Sequence, residues 1–324
     1  MAIVAMDIKN ADFTSIFNIA SLQNKLLVDL HWFTLAVCLM IGLVVTGLMI
    51  AIIAKFRTAE NDDGSEPRQT RGNIRLEIIW TAIPLFIVIV LGIMTAYVMI
   101  IVNPAVGTKR KPDVIVVGHQ WWWEYQYPNY GVTTANELYL PVGKNALFEV
   151  RSADVVHSFW VVAFGQKMDA IPGHPTNMWI HPTKKGLFLG TCSEYCGAQH
   201  GLMRIIANVV SPEDFDTWIK AQNAMPESSN DPAVAKGKQL FNSETCVQCH
   251  QIAGDPAAKA HIGPDLTHIA QRKTLGAGVL ENNTANLAKW MQNPQQFKPG
   301  VNMPNMRLTD ENAHDIAVYL ESLK

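Results

Sequence analysis

The stretch GTCSEYCGAQHGLM, residues 190–203, sets Cys192, Cys196, His200 and Met203 within one short loop. Thiolate, imidazole and thioether are the side chains that bind soft and borderline metals. The pattern is C-x3-C-x3-H-x2-M, and another histidine, His157, stands upstream in DVVHSFW. Two Cys and two His would satisfy zinc, so the donor types alone leave a zinc site open. Met203 shifts the balance toward copper, which thioether and thiolate suit together, and two thiolates rather than one point to two copper ions. A disulfide is the plain alternative in an oxidising compartment; the neighbouring histidine and methionine argue against it.

The segments flanking this loop read as β-structure. From Asp113 the chain runs through VIVVGHQWWWEYQY, ELYLPVG, ALFEVRSADVVHSFWVVAF, NMWIHPTKKGLFLGTC and MRIIANVV, separated by turn signals such as Pro128-Asn129 and Pro172-Gly173. Short strands at this spacing predict an antiparallel sandwich or barrel of about 100 residues. A helix is expected at SPEDFDTWIKAQ, with Ser211 as N-cap, Pro212 at N1 and acidic residues in the first turn. NAMPESSNDP then reads as a linker.

Ahead of the β-region lie two apolar runs without a charge, from Trp32 to Ala54 and from Ile78 to Val102. As helices rising about 1.5 Å per residue they span roughly 35 Å, enough to cross a hydrocarbon core of about 30 Å. Pro84 falls in the early turns of the second, where a membrane helix tolerates it. Cys38, inside the first run, reads as a packing thiol. The loop between the runs carries Lys55, Arg57, Arg68, Arg71 and Arg75, against Lys9 and Lys25 before the first run, which places that loop in the cytoplasm and both termini outside. Lys109, Arg110 and Lys111, just past the second run, weaken this bias. Asp7 and Asp12 near the start speak against a cleaved signal peptide. With 26 Lys plus Arg against 28 Asp plus Glu, there is no basic excess of the kind that marks a nucleic-acid partner.

Beyond the linker, AVAKGKQLF and TDENAHDIAVYLESLK have helical periodicity and bracket a loop-rich middle that contains CVQCH. This is the haem c attachment signature: Cys246 and Cys249 are spaced for thioethers to two vinyl groups, and His250 is placed to bind the iron. KPGVNMPNM offers Met303 or Met306 for the opposite face, Met303 being favoured, and a thioether there raises the reduction potential. His261, His268 and His314 have no motif around them and are expected to face solvent.

The last unit resembles class I cytochrome c domains in GKQLF, CxxCH, the GPDL at 263–266, the methionine in MP and the closing IAVYL. The resemblance implies that Pro264 lies near the His250 ring and that Gly237 and Tyr319 lie where the terminal helices cross. Cys192 to Met203 is in turn similar to the binuclear copper A (CuA) signature of cytochrome c oxidase subunit II, and the likeness extends through RLEIIWTAIP, GHQWWWEY, HSFW and KMDAIPG, roughly residues 25 to 212. With the cytochrome appended, the chain resembles the subunit II of caa-type haem-copper oxidases.

That resemblance implies a membrane-anchored multidomain fold: an N-terminal segment over 1–25, a transmembrane helical hairpin over 26–104, a cupredoxin-like β-sandwich or barrel over 105–212, a helix and linker over 213–231, and an all-α cytochrome c domain over 232–324. It makes Cys192 and Cys196 bridging thiolates, gives each copper one imidazole, from His157 and His200, and sets Met203 and the backbone carbonyl of Glu194 at opposite ends. The Glu194 side chain would reach a magnesium ion shared with subunit I. Trp121 matches the tryptophan through which electrons enter, with Trp122 and Trp123 alternating along a strand, and Glu77 matches the carboxylate at the mouth of the K proton channel. His174, at a usual Arg position, and Val162, at a frequent Pro, depart from the family and put local contacts to subunit I in doubt.

The function implied is electron acceptance at haem c and transfer through CuA to haem a of subunit I, for reduction of oxygen to water coupled to proton translocation. Partners would be subunits I and III, membrane lipid, and a donor that is a cytochrome c or a docked quinol-oxidising complex, in a bacterial inner membrane. Two other classes compete. A quinol oxidase subunit II shares the scaffold without copper, and the intact ligand set argues against it; nitrous oxide reductase needs a histidine-rich catalytic domain, for which ten histidines are too few.

Overall fold

The computed structural model of the chain describes residues 15–57, 64–66, 69, 71–103, 110–226 and 231–324. Most of the N-terminal segment, together with Arg68, Lys109 and the middle of the linker, lies outside the described residues. The described chain divides into two compact units, one formed by 26–102 and the other by the remainder.

The first unit holds α1 (Leu22–Lys55) from Leu26 onward and α2 (Ile74–Val102). Both are long and apolar enough to cross a membrane. Asn73 starts α2, its side-chain oxygen accepting from the Arg75 and Leu76 amides, which satisfies donors that a helix end leaves free. Leu39, Leu43, Ile53, Phe86 and Ile93 are exposed, an outer surface that only lipid or a partner protein can cover at low cost. Cys38 is likewise exposed on this chain's own surface, so its packing partner is not another residue of the hairpin.

In the second unit ten strands form two five-stranded sheets among the described residues. They are β1 (Val114–His119), β2 (Trp122–Tyr127), β3 (Val132–Ala135), β4 (Glu137–Pro141), β5 (Ala146–Ser152), β6 (His157–Val161), β7 (Lys167–Ala170), β8 (Thr176–Ile180), β9 (Gly186–Cys192) and β10 (Arg204–Val210). The sheet orders are β3-β2-β1-β5-β8 and β4-β10-β9-β6-β7. Alternation decides the packing: Val114 and Val116 of β1 and Trp123, Tyr125 and Tyr127 of β2 point inward, while their neighbours are half-exposed. They meet Phe148, Phe159, Met178, Ile205 and Ala207 in one core, each large side chain contributing about 1.5–3 kcal/mol on burial. The buried Tyr127 hydroxyl accepts from the Tyr139 amide at 2.8 Å and donates to the Tyr139 carbonyl at 3.0 Å.

The sandwich is not wholly antiparallel, as the strand spacing had suggested. β1 pairs with β5, and β10 with β4, in parallel. The chain leaves one sheet, crosses and returns in the same direction, and periodicity along a strand carries no record of which way its neighbour runs.

α3 (Pro212–Asn223) is capped by Ser211, which accepts from the Asp214 amide, stacks Trp218 on Tyr139 and packs Phe215 at a tilt against Tyr127. The C-terminal region holds α4 (Pro232–Ser243), α5 (Thr284–Gln292) and α6 (Asp310–Ser322) around a second core of Phe241, Leu266, Leu287, Ile316 and Leu320. α4 and α6 cross at Gly237, whose missing side chain lets the Asp315 carbonyl approach to 2.1 Å of where a Cβ would stand. α5 lies within the stretch read as loop; it is nine residues long and carries only Leu287 and Met291 as its buried face, too little for its period to stand out.

Candidate metal centre

His157 begins β6, Cys192 ends β9, and the loop from Cys192 to Met203 folds back to β10, so the pairing of β6 with β9 and β9 with β10 gathers the donors. The Cys192 amide donates to the Met203 carbonyl and the Ser193 amide to Ser158, closing the loop across both neighbouring strands. Within it the Cys192 and Cys196 sulfurs are 3.7 Å apart and unbridged. Cys192 Sγ lies 3.9 Å from His157 Nδ1 and 3.2 Å from the Glu194 carbonyl oxygen. Cys196 Sγ lies 3.7 Å from His200 Nδ1 and 3.9 Å from Met203 Sδ. The candidate donors thus converge on one buried spot, with His157, Cys192, Cys196 and Met203 at most 2% exposed. The Glu194 side chain points outward and is exposed.

A hydrogen bond from Cys196 draws the Cys192 thiol well below its ordinary range, its bond to His157 adding to this against the opposing effect of burial. Cys196 holds its own proton more tightly in consequence, because that hydrogen bond to Cys192 keeps it there, with burial and the charge on Cys192 adding to the effect. Burial works against charge on His157, but hydrogen bonds to Asp154 and Cys192 outweigh it and raise the ring above its ordinary range. His157 Nε2 is 2.7 Å from Asp154 Oδ1, an arrangement that fixes the ring and leaves Nδ1 turned to the sulfurs. Soft sulfur, two imidazoles and a thioether gathered at one buried spot fit a copper centre.

Trp121 and Gln120, in the turn between β1 and β2, both donate to the Cys196 carbonyl, at 2.9 and 2.8 Å. Trp121 is 8% exposed and belongs to the core, Trp123 is fully buried beside His157, and Trp122 stacks on His119. Glu77 stands in the first turn of α2, in the helical unit.

In the helical domain Cys246 and Cys249 are half-buried and unbridged, and the Cys249 and His250 amides both bond to the Cys246 carbonyl in a tight turn. His250 Nδ1 lies 2.8 Å from the Pro264 carbonyl, so Nδ1 carries the proton and the Nε2 lone pair is left for a metal. Burial lowers His250 below its ordinary range, keeping that lone pair free of a proton. Gly263 abuts the ring; a Cβ there would come 2.6 Å from His250 Cε1. Met303, like Cys246 and Val247, packs on this domain's core, so two thiols, an oriented imidazole and a thioether fit a covalently attached haem.

His261 and His314 are exposed, but His268 is 6% exposed and its Nε2 bonds to the Gln222 carbonyl, a correction to the solvent-facing reading: α3 covers it, and nothing local in the sequence announces that contact. Two further residues escaped the sequence reading. Asp154 had a usable signal, a carboxylate three positions before a ligand-type histidine. Lys298 had none; it is 1% exposed, with its ammonium held by carbonyls of both domains.

Family models for the cytochrome c oxidase subunit II transmembrane domain, the cytochrome c oxidase subunit II periplasmic domain and cytochrome c match residues 14–98, 131–210 and 234–324. A cytochrome c oxidase subunit 2 of Alkalihalophilus pseudofirmus is 34% identical over 90% of this chain and 85% of its own length. One from Bacillus sp. strain PS3 is 34% identical over 83% of this chain and 80% of its own. A solved periplasmic domain of a subunit II of cytochrome oxidase from Bradyrhizobium japonicum is 34% identical, covering 36% of this chain and 96% of that one, with a TM-score of 0.34. Hairpin, copper-type β-domain and haem-type domain follow one another here in a single chain, and on this ground the chain belongs to the cytochrome c oxidase subunit II family, with a fused cytochrome c domain, and is a subunit of an oxygen-reducing terminal oxidase.

Proposed function

We propose that this chain accepts electrons at a haem c held by Cys246, Cys249, His250 and Met303 and delivers them, by way of the Trp121 turn, to a CuA centre held by His157, Cys192, the Glu194 carbonyl, Cys196, His200 and Met203, for onward passage to haem a of subunit I. The observation that carries the reading is the convergence of two unbridged sulfurs 3.7 Å apart with two imidazoles and a thioether in a buried loop. A copper pair held by these residues would supply one-electron transfer.

The chain's own residues supply the rest. The strand pairing around Cys192 and the Asp154–His157 bond hold the donors where they stand, so little rearrangement accompanies a change of charge. Trp121 links the Cys196 carbonyl, through its indole N–H, to a turn that meets the haem-type domain. Of the two methionines, Met303 is the one packed on the haem-domain core, which favours it over Met306.

Loop charge favours both termini and both extramembrane domains on the periplasmic side of a bacterial inner membrane. Subunits I and III, with the apolar faces of α1 and α2 covered by them and by lipid, complete the assembly. Glu77 would serve the K proton channel, and the exposed Glu194 carboxylate is free to meet a magnesium ion at subunit I. The donor is a cytochrome c or a docked quinol-oxidising complex.

Metal analysis of the purified full-length chain is expected to give two coppers and one covalent haem, with a near-infrared copper band that Cys196→Ser abolishes. A single zinc, or an unchanged band in the variant, would overturn the assignment.

A further inference from the structure

Lys298 lies in the helical domain, five residues before Met303, yet two of its three hydrogen bonds leave that domain. Its Nζ donates to the carbonyls of Trp121 at 2.6 Å, Leu202 at 2.8 Å and Gly276 at 3.0 Å. An ammonium has three N–H donors and no acceptor, so every donor is used. At 1% exposure, an unpaired ammonium would carry a large desolvation cost. Trp121 and Leu202 belong to the two loops that hold the copper-type cluster: Trp121 carries the Cys196 carbonyl, and Leu202 adjoins Met203.

The residues after Lys298 continue the same seam. Gln199 donates to the Pro299 carbonyl, and Asn302 donates to the Gln120 carbonyl at 2.9 Å. Gln295 ties this segment to the methionine, donating to the carbonyls of Val301 at 2.7 Å and Met303 at 2.9 Å while accepting from the Gly300 amide. Farther along the same interface, Glu137 of β4 accepts from the Lys273 and Thr274 amides at 2.7 and 3.0 Å, and Arg204 donates to the Gly278 carbonyl at 3.1 Å. One buried lysine thus stands where the segment leading to Met303 meets the Trp121 turn and the Met203 loop.

We propose that Lys298 is a positioning residue, a latch whose ammonium pins the Met303 segment of the haem-type domain onto the Trp121 and Leu202 carbonyls and thereby holds the two redox domains in one fixed arrangement. The role of those domains in electron transfer rests on the function proposed above; the latch itself is a statement about hydrogen bonds between this chain's residues. Methionine at 298 would fill a similar volume but leave three buried carbonyls without their donor, and a charge-assisted bond is worth more than a neutral one.

The test compares full-length wild type with Lys298→Met, in detergent, by hydrogen–deuterium exchange. Peptides covering 118–123, 199–204, 273–279 and 295–303 are expected to exchange roughly ten- to hundredfold faster in the variant, while peptides from α4, α6, β1 and β5 keep wild-type protection. Unchanged exchange at the four seam peptides would overturn the latch. Protection lost throughout α4 and α6 would overturn it as well, because Lys298 would then be holding its own domain together. Asn302→Ala, on an exposed residue of the same seam, should give a milder version of the same local pattern, and local exchange equal to wild type would count against the seam. As a second readout, electron equilibration between the haem and copper absorption bands after photoreduction should slow in Lys298→Met by more than any change in the two midpoint potentials, measured in parallel, accounts for. If the wild type carries neither band the function proposed above falls, and the exchange result still decides the latch.

Discussion

Replacing Gly118 by alanine tests whether the geometry around His157 is what makes a metal centre of this loop. Gly118 lies in β1, opposite Trp123 and beside Ser152, and glycine there costs about 0.5–1 kcal/mol relative to alanine on backbone entropy alone. By that argument Gly118→Ala should stabilise the protein. The structure reverses the sign: a Cβ at 118 would lie 2.8 Å from His157 Cδ2, 2.9 Å from Cγ and 3.2 Å from Cβ. Restoring ordinary contact, which begins at 3.4 Å, requires the ring to retreat by about 0.6 Å, three times the roughly 0.2 Å tolerance of a metal–ligand distance. The ring has little room, being fully buried with Trp123 on one face and Asp154 on Nε2.

Overpacking of this kind costs about 1–3 kcal/mol, which exceeds the backbone gain. Loss of ligand orientation lowers metal affinity by about 10- to 100-fold, or about 1.4–2.7 kcal/mol. The assay is copper titration of the apo full-length chain against a competing chelator, read at the near-infrared band, with the thermal midpoint recorded in parallel. A variant that binds copper as tightly as wild type and melts higher would refute the reasoning, since it would mean that His157 is free to move or is not a ligand.

Three further outcomes are expected. Gly237→Ala, which helix propensity alone would favour by about 1 kcal/mol, should instead destabilise the haem-type domain by about 1–3 kcal/mol, because its Cβ would meet the Asp315 carbonyl at 2.1 Å and Tyr319 Cβ at 2.7 Å; a raised unfolding midpoint of that domain would contradict the helix crossing. Asp154→Asn keeps a hydrogen-bonding group against His157 but removes its charge, and copper affinity should fall by about tenfold, with equal affinity showing that the ring needs no such partner. Burial holds the Glu137 carboxyl above its ordinary range despite the Lys273 amide and the nearby Arg272 charge. The folded state therefore binds this proton more tightly than the unfolded chain, and that contribution is complete below about pH 4.3 and lost as pH rises through the folded value. Glu137→Gln removes it, so urea midpoints across that range should shift in favour of the variant as pH rises; a constant difference would place Glu137 outside this interface.

Much of the chemistry was legible because it is local. Cys192, Cys196, His200 and Met203 share one loop, and Cys246, Cys249 and His250 share one turn, so their spacing alone fixes how near their donors can come to each other. The two membrane-type helices were legible for a similar reason: an uninterrupted apolar run satisfies its own backbone within the segment and needs no partner to be recognised. Strand positions could be read from alternation, but strand direction could not, and the parallel pairs β1–β5 and β4–β10 emerged only from the order in which the sheets assemble.

His157 stands 35 positions from Cys192, and only the register of β6 on β9 brings the two together. Asp154, Glu137, His268 and Lys298 depend still more on distant partners: a lone lysine in a Pro- and Gln-rich loop has the same local sequence whether it is solvated or buried. What decides between those states is which carbonyls the folded chain presents to it, and for Lys298 they come from residues 121, 202 and 276. The sequence by itself determined which metal-donor groups the chain carries and how closely they are spaced, since donor type and short-range spacing are properties of the chain. Only the tertiary structure decided how the two redox-type domains meet, since that is set by hydrogen bonds between segments up to 182 residues apart, made where loops of two separate cores come into register.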